Sequence, residues 1–151
     1  MDKLIEELRN WGADTDGGIQ RVMNDEGFYR MLILKFADSP EFASLEKALD
    51  CGDREEAFRI AHSLKGASAN LSLTPFLRAV SAVVEDLRKY SGAVGSAACA
   101  ASAGSKPTGF DETMDRAAQA EADAALEVHL QQYRMERDLL VGLAKNYRKE
   151  G

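Results

Sequence analysis

The sequence predicts an all-α fold: an antiparallel up-down four-helix bundle with one or two short N-terminal helices capping it. Three observations predict it. Apolar residues recur at three- and four-residue steps through most of the chain, the spacing that puts side chains on one face of a helix. Strand-like alternation of β-branched residues is scarce and prolines number three, so little in the chain demands a strand. The apolar fraction of 45% comes with only 7% aromatic residues, a composition that fills a bundle interior with Leu, Ala, Val and Met. At 151 residues the chain suits one domain with a substantial core, and residues 1–151 are read as a single helical domain.

Leu4, Ile5, Leu8 and Trp11 form the stripe of a first helix that Gly12 ends. At that spacing Trp11 is a packing residue rather than a binding aromatic. A short second helix runs from Asp14 to Asn24, with Asp14, Thr15 or Asp16 as its cap and Ile19, Val22 and Met23 facing in. Glu26 to Ala37 carries Phe28, Met31, Leu32, Leu34 or Lys35, and Phe36 along the inward stripe of an interior helix. Ser39 and Pro40 supply a cap and a first-turn proline, after which Phe42, Leu45, Ala48 and Leu49 continue the stripe, as one helix bent at the proline or as two. Gly52 closes this segment, and Asp53-Arg54-Glu55-Glu56 has the pattern of a capping box. The helix it opens reaches Asn70. Thr74 and Pro75, again cap and first-turn proline, open another helix that packs through Leu77, Val80, Val83 or Val84, and Leu87 and ends near Tyr90. Residues 91–110 turn to Gly, Ala and Ser and read as a flexible insertion between the last two bundle helices. Helical pattern returns from Asp111 to Tyr147. Its seam of Leu126, Leu130, Tyr133, Arg137, Leu140, Ala144 and Tyr147 closes the bundle, with self-association as a coiled coil the alternative.

A net charge of −6 argues against nucleic acid or an anionic membrane as partner. No run approaches the apolar length of a membrane span, and the acids interspersed from Met1 to Leu8 are unlike a secretory leader, so a cytoplasmic protein is expected. Cys51 and Cys99 are read as reduced thiols in loops. His129, beside the last seam, has no second ligand at metal spacing and reads as a satisfied bundle-edge histidine. The sequence has no Gly-rich phosphate loop, kinase signature or acidic metal pocket. The expected protein is therefore no enzyme with its own ATP site, and holds no cofactor and no metal.

One stretch carries chemistry. On the helix opened by Asp53, the residues Ala57, Ile60, Ala61, Leu64, Ser68 or Ala67, and Leu71 share the packing face, and His62 projects well away from it. Gly66 lies one turn later beneath the imidazole and, without a side chain, leaves the ring reachable by something large. A helix-interior glycine costs about 1 kcal/mol relative to alanine, a cost that close approach at this spot would explain. Lys65 sets an ammonium on the adjacent stripe, within reach of an anion on the ring. Phe58, Arg59 and Ala69 are candidates for partner contact; for Phe58 the alternative is packing on a neighbouring helix, and for Arg59 a solvated surface charge.

The run His62-Ser63-Leu64-Lys65-Gly66, followed by Ala67-Ser68-Ala69-Asn70-Leu71, resembles the signature of histidine-containing phosphotransfer domains, the four-helix phosphocarriers of two-component signalling. Cys51-Gly52-Asp53, Asp25 to Tyr29, and Thr74-Pro75 also resemble that family, so the likeness covers Met1 to Tyr90, with the last helix similar in pattern only. Such domains usually carry glycine where this chain has Ser72. The resemblance implies a phosphoacceptor at His62 reacting through Nε2, charge stabilisation by Lys65, and access over Gly66. It also implies exchange with response-regulator receiver domains and a histidine kinase, with the magnesium needed belonging to the partner rather than to this chain. A monomer is the expected state, with the seam used internally; a helical adaptor that binds partners without phosphate exchange is the alternative function.

Overall fold

A computed structural model of the chain describes residues 2–89 and 116–148. Among these residues the structure is all-helical, in seven helices: α1 (Lys3–Trp11), α2 (Thr15–Arg21), α3 (Glu26–Ala37), α4 (Glu41–Asp50), α5 (Arg54–Asn70), α6 (Thr74–Arg88) and α7 (Arg116–Arg148). The expected 91–110 insertion, Tyr90, Cys99 and the stretch just after Asp111 lie outside the described residues.

Short acidic side chains start most of these helices. Asp2, Asp14, Asp25 and Asp53 each accept a hydrogen bond from a backbone N–H in the first turn of α1, α2, α3 and α5, satisfying donors that have no partner inside the helix. Only half of the capping box at Asp53 forms. Asp53 accepts from the Glu56 N–H at 3.1 Å, but the Asp53 N–H donates to the Ala48 carbonyl and the Glu56 carboxylate turns outward to Arg59. The proline segment resolves as two helices, with Ser39 Oγ accepting from the Glu41 N–H at 3.2 Å. Thr74 is the first residue of α6 rather than its cap, a place taken by Leu73.

The core gathers where α3, α4, α6 and α7 meet. Phe36, Phe42 and Phe76 contact one another edge-on at 5.5 to 5.9 Å between centroids, and Phe76 also meets Tyr133 at 5.6 Å, geometries that ring quadrupoles favour. α5 packs on α4 and α6, α6 on α7, and α1 and α3 on α7. Leu126, Leu130, Tyr133, Leu140 and Ala144 are buried, so the α7 seam is used within the chain. Each fully buried Leu or Ile side chain stabilises such a fold by about 1.5 to 3 kcal/mol.

Three further expectations need correction. Met23 is 92% exposed, because the chain leaves α2 through consecutive left-handed residues, Met23 and Asn24. Phe28 and Met31 are about half exposed while Tyr29, Ile33, Phe36 and Ala37 are buried. A helix this apolar has two plausible inward faces, and the tyrosine hydroxyl decides between them: it donates to the Leu71 carbonyl at 2.7 Å, and burial pushes its pKa up to about 12. Cys51 is disulfide-bonded rather than a reduced thiol.

The turn from α5 to α6 fixes the histidine helix. Ser72 adopts φ 57, a left-handed conformation that costs a non-glycine residue about 1 to 2 kcal/mol. Neighbouring elements hold it there. The Asp14 N–H donates to the Ser72 carbonyl at 3.0 Å, and Arg21 Nη1 donates to the Ser72 hydroxyl and to the Ala69 carbonyl. With Tyr29 on Leu71, the carbonyls that end α5 are satisfied from α2 and α3.

Candidate functional site

α5 presents two faces. Ala57, Ile60, Ala61, Leu64 and Ser68 are buried, which settles Ser68 over Ala67 as the inward residue. On the other side His62 and Gly66 are exposed. A Cβ built on Gly66 meets nothing within 4 Å, so the space one turn from the imidazole is open and no contact among the described residues demands a glycine there.

The ring has an aromatic neighbour. Phe58, one turn earlier, lies with its centroid 5.9 Å from that of His62, the planes inclined by 32°. The Arg88 guanidinium of α6 stands 5.5 Å from the same phenyl centroid, within range of a cation–π contact. Phe58 is partly buried against the core, so it both packs and touches the histidine. Arg88 has no period or motif that would single it out in the sequence; its role depends on α6 lying beside α5.

A cavity of about 430 Å³ opens on the N-terminal side of the ring, lined by Asp53, Glu55, Glu56, Phe58, Arg59 and His62. Arg59 Nε donates to Glu56 Oε2 at 2.9 Å. That hydrogen bond, reinforced by the opposite charge, raises the arginine pKa and lowers that of Glu56. Both groups sit at the surface, where such a pair contributes little to stability. Lys65 is half-buried, does not line this cavity and forms no ion pair among the described residues. Ala69 is partly buried further along the stripe, its carbonyl bonded to Arg21. The structure thus groups His62, Phe58 and Arg59 at one opening, leaves Gly66 clear, and sets Ala69 by the α5–α6 turn. No group of three or more metal-ligating side chains occurs among the described residues.

Chemically, this is a surface imidazole on a helix anchored at both ends, suited to nucleophilic exchange with a large partner. Residues 36–136 match the model of the Hpt domain family. The chain belongs to the Hpt domain family. Hpt domains are phosphocarriers rather than enzymes with a catalytic site of their own. They serve histidine phosphotransfer in two-component signalling, interacting with receiver domains and histidine kinases. The matched span of this Hpt domain runs from the end of α3 into α7 and includes all of α5; α1 and α2 lie before it. No curated protein and no solved structure matched the chain.

Proposed function

We propose that this Hpt domain accepts a phosphoryl group on His62 from a receiver-domain aspartate or a sensor kinase and passes it to another receiver. The observation that carries the proposal is the exposed imidazole over an unobstructed Gly66. In the accepting step, the Nε2 lone pair attacks the phosphorus of an aspartyl phosphate. The N–P bond forms as the P–O bond to the carboxylate breaks, and the carboxylate departs with that electron pair. The reverse sequence on a second receiver completes the relay. Because the transition state is loose, positioning and charge stabilisation matter more than covalent assistance. Lys65, three residues on from the ring, supplies the stabilising charge for the phosphoryl oxygens.

In this reading Phe58, Arg59 and Ala69 contact the partner along the same stripe, and the magnesium that receivers use stays with the receiver. The fold that serves it is a four-helix up-down bundle of α3 with α4, α5, α6 and α7, with α1 and α2 over one end. The short connection from Asn70 to Thr74 supports antiparallel α5 and α6. We read residues 1–151 as one domain, with 91–110 as an insertion, acting as a cytoplasmic monomer. No described helix is long and apolar enough to cross a membrane.

The test is transfer from a phosphorylated cognate receiver, followed as loss of receiver phosphate. Wild-type protein drains the receiver and His62→Gln does not. Equal drainage by the two proteins overturns the assignment of His62.

A further inference from the structure

The second histidine of the chain is oriented by a carboxylate. Asp86 on α6 is only 5% exposed, and its Oδ2 is hydrogen-bonded to His129 Nδ1 on α7. Lys89 Nζ lies 3.6 Å from Oδ1 of the same carboxylate. With Asp86 accepting from Nδ1–H, the neutral imidazole keeps its lone pair on Nε2. Among the described residues Nε2 has no partner, and the His129 side chain is 42% exposed.

His129 also lines a cavity of about 290 Å³ between α6 and α7, kept open by Ala79 and Ala82. The cavity's cation is Arg78, which is exposed and forms no ion pair among the described residues. Its acid is Glu136, whose two oxygens are taken up by Trp11 Nε1 at 2.7 Å and Gln132 Nε2 at 2.9 Å. An anion entering this cavity therefore meets an unpaired guanidinium, an acid already engaged and a nucleophilic nitrogen.

We infer that His129, oriented by Asp86 and sharing its cavity with Arg78, is a second phosphoryl-accepting site that takes small phosphoryl donors with a good leaving group. With phosphoramidate, Nε2 attacks phosphorus, the N–P bond to the ring forms, and the P–N bond to the donor breaks. The nitrogen departs as ammonia with the proton it already carries. The ring keeps Nδ1–H and becomes cationic, and the Asp86 carboxylate stabilises that charge as a positioning residue. The small cavity suits a small donor rather than a docked protein domain.

The experiment uses the full chain carrying His62→Gln, so its outcome is independent of the role proposed for His62. The protein is incubated with potassium phosphoramidate at neutral pH, and phosphohistidine is located by mass spectrometry without acid. We expect phosphate at His129, formed about tenfold more slowly when Asp86→Asn is added, the low end of what loss of a carboxylate partner costs a working histidine. Arg78→Gln, a surface change that leaves the fold intact by thermal melting, slows labelling severalfold. No label at His129 overturns the inference. So does labelling at the same rate in the Asp86→Asn and Arg78→Gln proteins, the behaviour of an ordinary surface imidazole, or labelling by a phosphorylated receiver alone.

Discussion

Replacing Gly66 separates what the position does for stability from what it does for transfer. In the middle of a helix, glycine is less favourable than alanine by about 0.5 to 1 kcal/mol because it loses more backbone freedom on folding. At Gly66 the added Cβ meets no atom within 4 Å, so no steric term offsets that gain. Gly66→Ala is therefore expected to stabilise the fold by about 0.5 to 1 kcal/mol, raising Tm by roughly 1 to 4 °C for a chain of this size. The same methyl projects into the space through which a receiver must approach His62, and a displacement of about 1 Å in such a reaction costs up to about 100-fold in rate. Transfer from a phosphorylated receiver should slow in Gly66→Ala and stop in Gly66→Leu, while circular-dichroism melts show both proteins folded. Wild-type transfer by Gly66→Leu would refute the access argument, and a lower Tm for Gly66→Ala would refute the claim of open space.

Lys65→Ala should slow transfer by about 100-fold, the low end of what removing one charge-stabilising group costs, with an unchanged melt; stopped-flow transfer assays decide it. Tyr29→Phe leaves the buried Leu71 carbonyl without its donor and should cost about 1 to 3 kcal/mol by urea unfolding. Glu46 gives a pH-dependent prediction. Burial alone would raise its pKa, but hydrogen bonds and charge from Arg134 and then Arg137 outweigh burial and hold it below the ordinary 4.5. A depressed carboxylate stabilises the fold above its unfolded pKa and loses that contribution as pH falls through the lower folded value. Glu46→Gln should therefore cost about 1 to 2 kcal/mol at pH 7, between surface and buried ion pairs, and the deficit should shrink steadily below pH 4.5. A deficit that stays constant into acid would show that the pairing with Arg134 and Arg137 is not its source.

The caps and the histidine face were legible in the sequence because both are local. Asp14 and Asp53 act within one turn of themselves, and the side on which His62 stands follows from helical periodicity alone. What the sequence left open depends on contacts between distant segments. Tyr29 and Ile33, rather than Phe28 and Met31, face inward because Tyr29 finds the Leu71 carbonyl. Ser72 tolerates its left-handed backbone because Arg21 and Asp14 reach it from another element. Arg88 over Phe58 and Asp86 against His129 join separate helices and have no sequence period to announce them.

The central claim is that the phosphoryl group resides on one exposed ring of α5. Its most direct measurement is to locate the phosphate on wild-type protein after exchange with a phosphorylated receiver, using electron-based fragmentation under non-acidic conditions. The account predicts phosphate on His62. Phosphate carried by another residue, with His62 unmodified, would contradict it.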